Sequence, residues 1–316
     1  MQAKTKALPI TALKCCLALI VLGALVASCS PKRTAMSLLA DNLTSGDGVM
    51  ASDDDPVLVR EALPFGLKVY ESLLVELPEH HGLLVATAKG YTAYGFLLQH
   101  QADMIDDRDL TQARSLRERA ALHYQRGRDY ALQDLEIRHP GFHEALRDDP
   151  DAMLAETTEA DLAALYWAGA AWAAAVSIAK DDMALVGDLP LAGRLVGRVL
   201  ALDEAFDEGR AHEFFIAYEG SRPNGSASEA RAHYRRALAL SRGKRASVHL
   251  ALAESVVLRE QNLAEFKDLI DAALAVDPDR EPGLRLVNTI AHQRARWLRA
   301  RLPDLFFDYE IEEPLS

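Results

Sequence analysis

The chain is 316 residues long, 49% hydrophobic and 26% charged, with a formal net charge of −12 and three cysteines. That length holds one large domain or two small ones. The acidic balance argues against nucleic acid and against docking on anionic lipid head groups.

The N-terminus carries the first signal. Lys4 and Lys14 precede an apolar run from Leu17 to Ala27, which closes on Val26-Ala27-Ser28-Cys29. This is the charged, apolar and cleavage pattern of an export leader, and ending on cysteine makes it a lipobox. The run is shorter than the about 20 residues that a bilayer span requires. Residues 1–28 are therefore expected to be removed as a lipoprotein signal peptide, leaving Cys29 as an acylated first residue. Each buried acyl CH₂ contributes ~0.8 kcal/mol, so two or three chains anchor stably to a membrane. Ser30 in place of Asp resembles the sorting pattern for the outer membrane, which puts the expected location on its periplasmic face. Cys15 and Cys16 leave with the leader, so no disulfide, cysteine–metal site or cysteine nucleophile is expected.

Residues 29–55 are polar and turn-rich, with Thr44-Ser45-Gly46-Asp47-Gly48 and Ser52-Asp53-Asp54-Asp55. They read as a flexible lipidated tether with one short helix over Ala35 to Asn42. From 56 to 307 the pattern is helical throughout, and 308–316 form an acidic tail. The spacing predicts helices over 56–77, 80–103, 108–137, 151–156, 159–180, 190–202, 204–219, 226–241, 246–260, 262–276 and 282–301. Prolines such as Pro64, Pro78, Pro140, Pro150, Pro190 and Pro223 are expected to stop and restart them. Asp203, Ser226 and Asn262 read as N-caps.

The helices pair in a repeating way. Ala230-x₃-Tyr234-x₂-Ala237 has the small–aromatic–small spacing of the second helix of a tetratricopeptide repeat. It recurs as Ala120-x₃-Tyr124-x₂-Gly127 and Gly66-x₃-Tyr70-x₂-Leu73, the latter followed by Pro78; Ala273-x₄-Pro278 repeats the closing proline. Small residues let paired helices approach, and the aromatic fills the gap to the next hairpin. The expectation is an all-α array of TPR-like hairpins, α-solenoid-like.

The helix from Glu159 to Lys180 is apolar on every face, so it must be central or line an apolar cleft. On it Trp167 and Trp172 point about 140° apart, either as core fillers or toward a cleft. Catalytic and cofactor signatures are missing: no G-x-S-x-G, H-E-x-x-H or phosphate loop occurs. Ser177-x₂-Lys180 lacks the companion motifs of penicillin-binding enzymes. Pro140 and Gly141 keep His139 and His143 from sharing a helical face as metal ligands. Neither enzyme activity, a metal nor a cofactor is expected.

A longer series of short motifs carries a resemblance. Leu189-Pro190-Leu191-Ala192 is followed by Arg198-Val199-Leu200-Ala201-Leu202-Asp203-Glu204, then Gly209-Arg210-Ala211-His212-Glu213-Phe214-Phe215. Ala230 to Ala237, Leu240-Ser241-Arg242-Gly243-Lys244, Asp277-Pro278-Asp279, Arg285-Leu286-Val287-Asn288 and Arg294-Ala295-Arg296 complete the order. With the aromatic–alanine helix and the lipobox, this resembles the T component of TRAP transporters, the TatT family of periplasmic lipoproteins. A departure is the single glycine of Asn224-Gly225-Ser226, where the family usually has a pair. The resemblance implies a lipid-anchored, all-helical, homotrimeric accessory of a tripartite ATP-independent importer. It also implies association with the importer's substrate-binding protein and a cleft in each subunit. The alternative is a TPR scaffold lipoprotein serving envelope, outer-membrane or pilus assembly.

Trp167, Trp172, His212, Asn288 and Arg294 are the candidate cleft residues. An apolar cleft with a few convergent polar groups suits a small ligand, and an arginine there suits a carboxylate. His212 reads equally as a satisfied core histidine, and Arg285 as an internal ion-pair partner.

Overall fold

The computed structural model describes residues 31–44, 48–307 and 309. The leader, the lipobox cysteine Cys29 and the tail residues other than Tyr309 lie outside the described residues. Every element among the described residues is helical, so the chain is all-α as expected. The helices are α1 (Pro31–Thr44), α2 (Gly48–Ala51), α3 (Pro56–Glu76), α4 (His81–Ile105), α5 (Leu110–Arg138), α6 (Phe142–Asp148), α7 (Pro150–Ala155) and α8 (Leu162–Ile178). They continue as α9 (Met183–Gly187), α10 (Leu189–Leu202), α11 (Arg210–Ser221), α12 (Ala227–Leu240), α13 (Ala246–Leu252), α14 (Leu263–Ala275), α15 (Arg285–Ala300) and α16 (Leu302–Leu305). A π-helical segment, Ala253–Val257, extends α13, and 3₁₀ turns span Glu159–Asp161, Phe206–Glu208 and Pro282–Leu284.

Local chemistry sets many of the boundaries. Asp55 Oδ1 accepts from the backbone N–H groups of Val57 and Leu58 at 2.9 and 3.1 Å, with Pro56 at the first helical position of α3. Those amides have no partner within the helix, which is what an N-cap supplies. Ser226 and Asn262 cap α12 and α14 in the expected way, each accepting from the glutamate N–H three residues on at 3.2 Å.

Two expectations about stops and starts fail. Pro64 lies inside α3, which runs through it unbroken. Asp203 closes α10 instead of opening a helix, and its carboxylate accepts from Ala205 N–H in a local turn. The helix expected over 204–219 therefore begins only at Arg210, which puts His212 in its first turn and not its third. The stretch expected as a tether holds α1, longer than the short helix expected there. Its Ala40 is buried with Leu73, Leu74, Leu83 and Leu84, and Tyr70 Oη donates to Leu43 O at 3.3 Å.

Two larger apolar clusters form the interior. The first is built by α3, α4, α5, α8 and α10, with Tyr91, Tyr124, Phe142, Leu165 and Leu195 fully enclosed. The second gathers α11 to α16 around Ile216, Leu252, Phe266 and Ile270. At about 1.5–3 kcal/mol for each large aliphatic or aromatic side chain buried, these clusters hold the array together. The apolar helix α8 is central, packed by α4, α5, α10 and α11. With its preceding 3₁₀ turn it spans 20 residues at a hydropathy of 1.3, long and apolar enough to cross a membrane. Its burial among four helices explains that composition without one.

Helix α15 joins the clusters: Ile290 belongs to the first, Ala291, Ala295 and Leu298 to the second. Its polar side meets the end of α4 and the turn that follows it. His100 Nε2–H donates to Gln293 Oε1 at 3.3 Å, Arg294 lies 3.7 Å from Asp103, and Arg301 lies 3.5 Å from Asp107.

Candidate functional site at the junction of α8 and α11

The helix α8 delivers two adjacent aromatics to its contact with α11. Tyr166 is buried and meets Phe206 at 5.7 Å; Trp167 is half-buried, edge-on to Tyr166, with the Arg210 guanidinium 5.8 Å from its ring. Burial pushes the Tyr166 hydroxyl up to about 12, so it stays protonated at any physiological pH.

The turn leading into α11 is strained. Asp207, Glu208 and Gly209 have φ of +44°, +54° and +86°. Glycine takes this region freely, but two consecutive L-residues there cost free energy that the surroundings must offset. Two arginines provide part of the offset. Asp207 accepts from Arg210 Nε at 2.5 Å and from Arg245 Nη2 at 2.7 Å, and Arg245 also donates to Asp207 O at 3.1 Å. Arg245 is only 3% exposed, and its Nε has no hydrogen-bond partner. Beyond the turn, Glu213 Oε2 is likewise buried and unpartnered.

One turn further, His212 meets α12. Its Nε2–H donates to Glu204 Oε1 at 3.2 Å, which leaves Nδ1 to accept from His233 Nδ1–H at 2.8 Å. Glu204 is also gripped by Arg236 through two bonds of 2.6 Å, which with the His212 bond hold its carboxyl at about 2. Burial lowers the pKa of both histidines, and for His233 the neighbouring His212 adds to the shift. A proton on both rings would put two N–H groups nose to nose.

The five candidate cleft residues do not converge on one cleft. Trp172 is 2% exposed and faces away from Trp167, with the Arg128 and Arg147 guanidinium carbons 5.0 and 6.0 Å from its ring. It is core, and its Nε1–H has no partner. Asn288 is 1% exposed and pins the loop before α13: Oδ1 accepts from Ala246 N–H at 3.0 Å, and Nδ2 donates to Lys244 O at 2.9 Å. Both amide ends being used internally, Asn288 is a structural clamp. Arg294 points to the seam between α15 and α4. There it grips Glu254 of the π-helical segment at 2.5 Å and stacks on Trp297 at 4.4 Å. Trp167 and His212 remain, on neighbouring faces of the α8–α11–α12 junction. Arg285 is an ion-pair partner, 2.8 Å from Asp279.

Sequence reasoning missed Asp207, Arg210, His233 and Arg245. A legible signal existed for the first: Asp207-Glu208-Gly209 reads as a left-handed turn once the following helix is started at Arg210 instead of at 204. Arg245 carried none, since a lysine–arginine pair after a turn looks like solvated surface. The loop at Gly225 packs tightly on the end of α11, because a Cβ there would fall 2.0 Å from Glu219 O.

The junction offers cationic and aromatic groups but no nucleophile held against a base. Among the described residues no group of three or more His, Cys, Asp or Glu side chains is placed to hold a metal. What fold and site define is an all-helical protein with a cationic, aromatic junction between α8 and α11. The chain matches the family of TRAP transporter T-components over residues 52–306, and it belongs to that family. It is also 29% identical over 306 residues to an uncharacterized protein of Treponema pallidum (strain Nichols), covering 90% of this chain and 95% of that one.

Proposed function

We propose that this T-component is a lipoprotein held by acylated Cys29 to the periplasmic face of the outer membrane, where it docks the substrate-binding protein of its TRAP importer as a homotrimer. The family match over nearly the whole described domain carries this reading. The lipobox at 26–29 supports the anchor. Successive helices joined by short loops, with small residues such as Ala120, Ala230 and Ala237 buried at their crossings, support a TPR-like hairpin array. Contact with a small ligand, on this reading, is confined to the Trp167–Arg210 edge, because Trp172, Asn288 and Arg294 are engaged elsewhere.

Transient partners bury modest interfaces and bind reversibly. Calorimetry and co-purification of the lipidated protein with the importer's own binding protein test the docking role. Saturable binding that Trp167→Ala or Arg210→Ala weakens is the expected result. Absence of binding at high micromolar concentrations, with and without ligand, overturns it and favours a scaffold role in envelope assembly. Light scattering on the same sample checks the trimer.

A further inference from the structure

The repeated pattern at Ala230 to Ala237 carries an aromatic that the α8–α11 junction does not use. Tyr234 projects from α12 toward α13, where its Oη–H donates to His249 Nδ1 at 2.9 Å and the two rings meet edge-on at 5.8 Å. Two cavities adjoin at this pair. One, of about 390 Å³, is lined by Arg231, Tyr234 and Arg235 of α12, Leu252 of α13, and Asp268 and Leu269 of α14. The other, of about 350 Å³, is lined by Lys244 and His249, and by Val276, Asp277, Arg280 and Glu281 beyond the end of α14. Ala272 borders both. Together they form one groove, walled by α12 with its following loop and by α14. Leu252, Leu269 and His249 are buried at its floor.

Some of its charges are already spent. Arg231 crosses the groove to Glu265 at 3.0 Å and also holds Glu260 at 2.5 Å. Lys244 Nζ lies 3.0 Å from Glu208 and 3.2 Å from Glu281. Four others are exposed and have no ion-pair partner among the described residues: Arg235 and Asp268 in the first cavity, Arg280 and Asp277 in the second. Each cavity thus presents one available cation and one available anion. A simple anion or a simple cation would meet a like charge in either cavity, whereas a ligand carrying both signs matches both.

The groove is also longer than a single small zwitterion. From Glu265 to Val276 the α14 wall runs about 16 Å at 1.5 Å per residue. About five residues of extended chain, at ~3.3 Å each, cover that length. A free amino acid would fill one cavity and leave the other empty.

We infer that this groove binds an extended peptide segment of a protein partner, one with acidic and basic side chains around an apolar residue. The apolar side chain packs on Leu252, Leu269 and Ala272, the acidic one pairs with Arg235 and the basic one with Asp268. The groove shares no residue with the Trp167–Arg210 edge, so the inference stands apart from the docking role proposed there.

Selection of phage-displayed random heptapeptides on the full protein, followed by fluorescence anisotropy of the enriched peptides, tests it. Peptides bearing both charges around an apolar residue should be enriched. Arg235→Glu and Asp268→Arg should each weaken their binding about tenfold. Arg296→Glu, at an exposed position of α15 outside the groove, should leave binding unchanged. All three side chains are exposed, so unchanged melting temperatures separate lost binding from lost folding. A peptide with its acidic and basic positions exchanged should recover binding to the Arg235→Glu/Asp268→Arg double variant.

No enrichment, or enriched peptides indifferent to both groove substitutions, overturns the inference. Free leucine or lysine that displaces the peptide fully and shows the same sensitivity to Arg235→Glu overturns it in favour of a small amino-acid site. A change of oligomeric state in Arg235→Glu, read by light scattering, overturns it in favour of a second copy in the groove.

Discussion

The two faces of α8 present the same residue type, five positions apart, in opposite circumstances. Trp172 is enclosed in the first cluster under two arginines, while Trp167 lies half-buried beside one arginine at the mouth of the α11 turn. Composition is the same on both faces, since the helix is alanine and aromatic all round. The neighbours differ: α5 and α6 close over one face, whereas a strained turn held by ion pairs meets the other. An all-apolar helix is thus evidence of a central position, and says nothing about which of its faces remains accessible.

The largest expected effect sharpens that contrast. Trp172→Ala empties a closed site and should cost about 3–5 kcal/mol, with a sharp fall in Tm. Trp167→Ala should cost about 1–2 kcal/mol, because its exposed part already contacts solvent. Paired urea titrations measure both; equal costs would abolish the distinction between the faces.

Next in size is the turn itself. Asp207→Ala leaves Arg245 buried with one guanidinium edge unpaired and keeps an L-residue at positive φ. After allowance for the partial exposure of Asp207, a loss of about 1–3 kcal/mol is expected. Asp207→Asn should lose less, because asparagine tolerates the left-handed region and its Oδ1 still accepts from Arg245. An alanine variant as stable as the parent would show that the ion pairs do not hold the turn.

The third expectation concerns pH. Burial, then the charges of Arg126 and Arg119, holds His123 at about 4, against an ordinary histidine value of 6.5. The ring stacks on Tyr91 at 5.6 Å and meets Tyr94 edge-on at 4.7 Å, with Lys68 and Glu71 the other charges acting on it. The folded state binds the proton less readily than the unfolded chain. Its stability is therefore complete above pH 6.5 and declines as pH falls from 6.5 toward 4. His100, His212, His233 and His249 are lowered too, and act in the same direction. His123→Phe keeps a stacking ring without a titratable group, so the drop in Tm between pH 7 and pH 5 should become shallower. An unchanged slope would assign the pH dependence to the other histidines.

How much of this was legible in the sequence varies with the physics involved. Helices carrying caps and strong periodicity, such as α12 behind Ser226 and α14 behind Asn262, were readable because cap and pattern are both local. The segment 204–219 was misread because the Asp207–Gly209 turn depends on Arg245, a partner 38 residues away. Pro64 misled for a related reason: packing of Leu63 and Leu67 into the first cluster holds the helix through it. The cleft residues fared worst. A motif order fixes that Asn288 and Arg294 share a helix with a fold-wide role, but whether that role is clamp, seam or ligand contact is decided by partners such as Lys244 and Glu254 on other hairpins.

The last expectation tests what small residues do at the two ends of the repeated pattern, its closing position on α5 and its opening position on α3. Gly127 of α5 lies against α4 so closely that a Cβ would fall 2.5 Å from Thr92 Oγ1 and 2.9 Å from Ala88 O. The hydroxyl can rotate away, but the carbonyl belongs to the α4 backbone and cannot move without the helix. Gly127→Ala should therefore part the helices slightly, at a cost of about 1–3 kcal/mol. Gly66 holds the first position of the same pattern on α3, yet a Cβ there would meet only Met50 Cε, at 3.8 Å. It sits mid-helix with helical φ, where alanine removes backbone entropy from the unfolded chain. Gly66→Ala should thus raise stability by about 0.5–1 kcal/mol. Opposite signs in one denaturation series would show that the pattern marks a true close crossing at α4–α5 and a coincidental one on α3. A loss at both positions would mean that α2 and α3 pack together more tightly than the Met50–Gly66 separation indicates.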